Sequence, residues 1–321
     1  KNDRLTTIVV GKGEHQIDRE YLEIPSAMNI VGDPKVPKSE IVVVGGIKFE
    51  KGIQGICHLQ HLTLRRAKGT GVYGQSSFTM DDVLVEQCRG SGVWAYGTGV
   101  VGRCTNVKVS QCEDSGVCAH KGASITLIGA KTTVHHNCTN CPSWEYGLTV
   151  FGASLSTIQL VSPLTKEQVS LDNGGGGNWG ANNGADLNQI KTVTEAEMEA
   201  VVAARARGEV WVPEGCHTLK EAVGRVHRDD RLTTIVVGKG EHVVADKDEY
   251  GMDCNTLKVP SAMNIVGDPG VAKEEIVVLG CIVIWDGIQE NCHLQHLTLR
   301  QAKESGVCGY SSFTMEDVLV E

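Results

Sequence analysis

A short rhythm runs through the chain and restricts its fold more than any other feature. Leu62-Thr-Leu-Arg-Arg-Ala67 leads to Gly71-Val72, Val83-Leu-Val-Glu-Gln-Cys88 to Gly92-Val93, and Val107-Lys-Val-Ser-Gln-Cys112 to Gly116-Val117. A looser copy joins Thr133-Val-His-His-Asn137 to Gly147-Leu148 and is stretched by an insertion over Cys138–Tyr146. Apolar residues alternate inside each unit, a period of two that belongs to extended strands. A repeat of about 22 residues with that alternation is one coil of a solenoid, which buries its apolar face only when the next coil stacks on it. Equivalent residues then lie above one another at the strand spacing of about 4.8 Å. Parity predicts two inward columns: Leu64, Val85, Val109 and Val134 on one wall, and Val72, Val93, Val117 and Leu148 on another.

A longer repeat encloses the short one. Asp3–His15 recurs letter for letter as Asp230–His242, and Ser26–Glu86 matches Ser261–Glu321 at about 44 of 61 positions. Identity at that level gives the two copies one fold, with an insertion around Asp246–Asn255 in the second. Thr194-Glu-Ala-Glu197 has capping-box spacing and opens a helix to about Arg207; Thr218-Leu-Lys-Glu221 opens a shorter one to about Val226. Both are expected to cover the open end of the second core, because an exposed sheet edge invites pairing. The Gly- and Asn-rich stretch between the copies is read as a flexible linker. The predicted organisation is a first module over 1–176, a linker over 177–190, and a helical cap with the second module over 191–321.

Met28-Asn-Ile-Val-Gly32 followed by Ile41-Val-Val-Val44 carries a specific resemblance, as does Val212-Pro-Glu-Gly215 with Thr218-Leu-Lys-Glu-Ala-Val223 and Thr234-Ile-Val-Val237. These segments resemble the opening of pectin-lyase-like right-handed parallel β-helix proteins, in which a capping helix and a strand precede repeated coils. The resemblance implies an all-β fold of tandem right-handed parallel β-helix modules with short capping α-helices before the second. It also implies an extracellular or cell-surface setting. That family holds polysaccharide lyases, hydrolases, epimerases and esterases beside non-enzymatic surface proteins, so fold alone does not choose the function.

Two outward surfaces could carry chemistry. One column reads His61, Asp82, Asn106, Lys131, and its neighbour Arg65, Glu86, Ser110, His135. In the resembling lyases and epimerases a base removes a proton beside a sugar carboxylate, and a cation stabilises the anion that forms. Asp82, Glu86, Lys131 and His135 are the residues that would serve, with Ca²⁺ held on the carboxylate oxygens. The bland alternative is a solvated face of interleaved charges. Residue by residue the catalytic patterns do not transfer: Asp81-Asp82 lacks the Gly-His-Gly and Arg-x-Lys of polygalacturonases. Asp33-Pro34 is followed by Lys35 and not by the His of alginate epimerases. The second surface follows each Gly-Val step. Tyr73, Trp94, Tyr96 and Phe151 lie there, and the insertion adds Trp144 and Tyr146; rows of aromatic rings stack on sugar rings or anchor a partner. The alternative is that the insertion folds over them.

The cysteines fit the coil. Cys88 and Cys112 share one turn position with Ala67 and Asn137, an internal ladder of small or amide side chains that would also hide Asn137 from glycosylation. The pairs His58/His61 and His293/His296 face oppositely on a strand, and Cys138-Thr-Asn-Cys141 has no second pair at zinc-ribbon distance, so no metal site is expected. The formal charge of −9 and the absence of a Lys/Arg run argue against nucleic acid. No apolar run reaches the roughly 18 residues of a membrane span. The leading expectation is a repetitive β-helix scaffold that binds a polysaccharide or protein partner without catalysis. A lyase or epimerase of acidic glycans and a self-assembling structural array are the alternatives.

Overall fold

The computed structural model describes residues 6–152, 156–213, 216, 218–229, 231–244, 246–247, 253–302 and 305–321. The chain forms two compact units, Lys1–Glu195 and Ala196–Glu321. Both are built mainly of parallel strands, and within each the chain visits three ladders in a fixed order.

In the first unit one turn is Cys57–Gln60 in the first ladder, Thr63–Arg65 in the second and Val72–Gly74 in the third. The next turn places Phe78–Asp81, Leu84–Glu86 and Val93–Tyr96 directly beside them. The register is in step throughout. Leu64, Val85, Val109 and Val134 pair in sequence, as do Val72, Val93, Val117 and Leu148, so both expected inward columns are present. All eight side chains are buried. A third column that the rhythm does not announce runs through Ile30, Leu59, Met80, Cys104, Leu127 and Leu160 of the first ladder. Burying each such side chain stabilises the fold by about 1.5–3 kcal/mol. Phe49 and Phe78 stack at 5.5 Å between ring centres, in space that Gly74 and Gly102 leave open by lacking side chains.

Two kinds of corner keep the turns in step. Between the first and second ladders a single residue takes the left-handed conformation: His61, Asp82 and Asn106 have φ of 53°, 53° and 52°, and Gly129 follows them at 85°. Asn, Asp and His adopt this region more readily than other side chains, and Gly does so without strain. After the second ladder the left-handed residues are Arg66, Gln87, Gln111, His136 and Asp172. The residue after each points inward and forms the expected ladder Ala67, Cys88, Cys112 and Asn137, which Asn173 extends. The Asn137 amide accepts from the Cys112 N–H at 3.1 Å and donates to the carbonyls of Val109 and His135 at 3.2 Å each. The side chain is 1% exposed, so a glycan has no room there.

The stretch read as a linker belongs to the first unit. Trp179–Asn182 pairs with Leu148–Phe151 and adds a strand to the third ladder, and Ile190–Val193 closes the first. Gly180 within it serves packing: a Cβ there would overlap the Tyr146 ring. The unit boundary falls at Glu195/Ala196, five residues beyond the expected end of the linker at 190.

The second unit repeats the plan. Helices span Glu195–Ala206 and Leu219–Val226. The second buries Leu219, Ala222, Val223 and Val226 in the same core as strands Glu209–Val212 and Thr234–Val237. Its N-cap Thr218 accepts from the Glu221 N–H at 3.2 Å. Cys292–Arg300 and Phe313–Val320 run unbroken through the first and second ladders, turning at left-handed His296 and Asp317.

Candidate functional site

The expected charged face is brought only partly together. Glu86 pairs in register with Arg65 and Ser110, and Ser110 with His135, so that column stands as expected. Lys131 does not join Asp82. Gly129 occupies the place above Asn106, whose N–H donates to the Ile128 carbonyl at 2.9 Å, and the longer turn carries Lys131 out into solvent. Each carboxylate is already engaged. Arg65 Nε donates to Glu86 Oε1 at 2.6 Å. Asp82 takes Lys38 Nζ at 2.5 Å on one oxygen and His61 Nδ1 at 2.7 Å on the other. Burial pushes the Asp82 carboxyl up, but the lysine and histidine outweigh it and leave it below the ordinary carboxylate range, a poor setting for a general base.

His61 also reaches the Val36 carbonyl at 2.9 Å through Nε2. Its two nitrogens therefore both face acceptors, a geometry that suits the doubly protonated ring. Hydrogen bonding to Asp82, then to Val36, raises its pKa. The second unit repeats this clasp: His296 bonds Asp317 at 2.7 Å and the Val271 carbonyl at 2.9 Å, and Lys273 pairs with Asp317. A feature placed identically in two copies, tying the segment around 36–38 to the corners of two turns, is a structural fastener. His135 lies Nδ1 to Nδ1 at 2.7 Å from His136, and burial, then Lys108 and His136, lower its pKa. Among the described residues no three His, Cys, Asp or Glu side chains converge as a metal site.

The aromatic surface is continuous. Outward positions of the third ladder set Tyr73 beside Trp94 and Tyr96 beside His120 and Phe151. Ring centres follow one another at 5.3 Å from Tyr73 to Trp94, 5.9 Å from Trp94 to His120 and 4.8 Å from His120 to Phe151. The Trp94 and His120 rings are stacked nearly parallel, 4° apart, while Tyr96 meets Tyr73, Trp94 and His120 edge-on. From Tyr73 to Phe151 is three strand steps, about 14 Å. All five rings are half-buried, with their remaining surface in solvent. Burial, then Lys121, lowers the pKa of His120, which keeps its ring neutral at neutral pH. The Trp94 indole N–H is buried and finds no acceptor among the described residues.

The insertion covers one end of this surface and leaves the rest open. Tyr146 turns its ring onto Gly176 and Gly180, and Glu145 reaches Ser115, which bonds Thr149 at 2.7 Å. Cys118 and Thr149, outward by register, are thereby buried. Burial raises the Glu145 pKa. Tyr146 is thus a packing residue. Trp144 is 56% exposed and makes no ring contact with the row among the described residues; its carbonyl accepts from the Asn182 side chain. The row gains Tyr21 instead, 6.3 Å from Tyr73. The alternation Tyr21-Leu22-Glu23-Ile24 was the signal for it, since Tyr21 pairs with Gly46 in the same ladder.

No family model matches the chain, and neither the curated proteins nor the solved structures contain a match to it.

Proposed function

We propose that the chain is a tandem of right-handed parallel β-helix modules whose first copy binds a polysaccharide along Tyr73, Trp94, Tyr96, His120 and Phe151. Three ladders visited in a fixed order, with residue-for-residue register, support the coil. Crossovers between parallel strands are right-handed in about 98% of cases, which supports the hand. The observation that carries the binding reading is the unbroken row of half-buried rings on one ladder. The apolar faces of sugar rings pack on such surfaces, and rings fixed by a rigid sheet lose little freedom on binding. A glycan running along the coil axis would meet one ring or ring pair per strand step. The lyase reading draws less support, because Asp82 and Glu86 are each held by a cation and Lys131 stands apart.

Affinity electrophoresis through gels containing a neutral β-glucan, xylan or polygalacturonate tests the reading. Retardation by one glycan is expected to fall about twofold to thirteenfold in Trp94→Ala, from the roughly 0.5–1.5 kcal/mol that one stacked ring contributes. Trp144→Ala, outside the row, should migrate like the parent. Equal retardation of the parent and Trp94→Ala would refute the assignment, and no retardation by any glycan would turn attention to a protein ligand.

A further inference from the structure

Among the positions at which the two copies differ is a set of neighbours on the third ladder. In the first, Tyr21 packs over Gly46 and stands beside Tyr73 on the next strand, 6.3 Å away. The same three places in the second copy hold Thr256, Cys281 and Cys308, fixed by the registers Thr256 with Cys281 and Val283 with Cys308. A bridge of rings over a glycine is thus replaced by two thiols. Their sulfurs lie 4.0 Å apart on adjacent strands. Both are half-buried, as is Cys141, whereas Cys57, Cys88, Cys104, Cys112, Cys118, Cys138, Cys216 and Cys292 are buried. Burial pushes Cys104 up to about 12, and its thiol stays protonated and inert.

We propose that Cys281 and Cys308 form a redox-responsive disulfide that staples the third ladder of the second unit. The oxidant is a small disulfide such as oxidised glutathione. One cysteine, as thiolate, attacks it, releases one glutathione thiol and forms a mixed disulfide; the second cysteine then attacks and releases the other. Two S–H bonds and one S–S bond break, one protein S–S bond forms, and two glutathione thiols carry away the two protons and two electrons. The sulfurs must close from 4.0 Å to a bond of about 2.05 Å. Side-chain rotation supplies part of that. Gly280, directly before Cys281, and Gly306, two residues before Cys308, give both strands backbone freedom for the remainder.

The test is a peptide map of the whole folded chain after equilibration with oxidised glutathione, alkylation and non-reducing digestion. One cross-linked species joining the Cys281 and Cys308 peptides is expected. It should persist in Cys292→Ser, whose cysteine shares a tryptic peptide with Cys281, and vanish in Cys308→Ser and after dithiothreitol. The oxidised parent should also melt several degrees above the reduced parent, a difference that Cys308→Tyr, restoring the first copy's residue, removes. Recovery of Cys281 and Cys308 as separately alkylated or glutathione-capped peptides would overturn the proposal, as would a link from either to Cys292.

Discussion

Asn137→Ala is the most incisive perturbation of the coil. The Asn137 amide is buried at its corner beside the buried Val109 and Cys112, and it serves strands of two turns at once. Truncation removes the acceptor of the Cys112 N–H and the donors to two carbonyls, and it takes from Asn173 Oδ1 one of its two donors, the Asn137 amide at 3.1 Å, while the Asn137 backbone N–H stays. An orphaned buried group costs about 1–3 kcal/mol. Among the described residues the Cys112 N–H bonds Asn137 alone, while the carbonyls have second lone pairs and share their loss. The expected destabilisation of the first unit is therefore about 2–4 kcal/mol, near the upper end of ordinary single substitutions. Urea unfolding followed by circular dichroism reads it as a lower midpoint at unchanged slope. Hydrogen exchange adds a local readout: the segment around Cys112 should lose protection ahead of the rest of the unit. An unchanged midpoint with Cys112 still protected would show that the amide ladder does not hold the corner.

Further expectations follow from the same geometry. Phe78→Ala, which empties the space against Phe49, Gly74 and Gly102, should cost about 3–5 kcal/mol in the same urea experiment. Gly180→Ala should cost about 1–3 kcal/mol by driving a methyl into the Tyr146 ring, and Gly180→Ala combined with Tyr146→Ala should recover part of that loss. The His61 clasp makes stability pH-dependent. Its raised pKa means the contribution is complete below the ordinary histidine value of about 6.5 and fades as pH rises through the higher folded value. Asp82 lies below its ordinary value, so its part is complete above about 3.9 and fades as pH falls through the lower one. The parent should thus exceed His61→Gln by about 0.5–1 kcal/mol near pH 5–6 and converge with it by pH 9, as befits a pair 27% and 39% exposed. A constant difference across that range would remove the imidazolium from the explanation.

Most of the coil was legible because it repeats. Alternation sets the parity of Val85, Val109 and Val134, and one corner position recurring as Ala67, Cys88, Cys112 and Asn137 marks the internal ladder. What escaped was local length. Gly129 and Lys131 are two residues apart, and only the left-handed backbone decides which one stacks on Asn106. The Gly- and Asn-rich stretch reads as flexible because glycine is the usual mark of mobility, whereas Gly174 and Gly176 at its start admit the Cys138 backbone and the Tyr146 ring. The aromatic row was visible as columns, but the parts played by Tyr21 and Tyr146 depended on how the insertion folds, which no periodicity encodes.

The link from the second ladder to the third has a consequence for how such a chain can change. It takes a few residues at Arg66–Gly71, a long excursion at 136–147, and in the second copy the added segment between Val243 and Thr256. The ladders on either side keep their register in every case. Loop length is therefore decoupled from the core, because the corner ladder and the inward columns absorb no part of the insertion. New sequence grafted at 138–147 would remodel the ground beside the aromatic row while the scaffold beneath stayed as it is. Loop exchange on a fixed frame would thus vary the surface without disturbing the repeat.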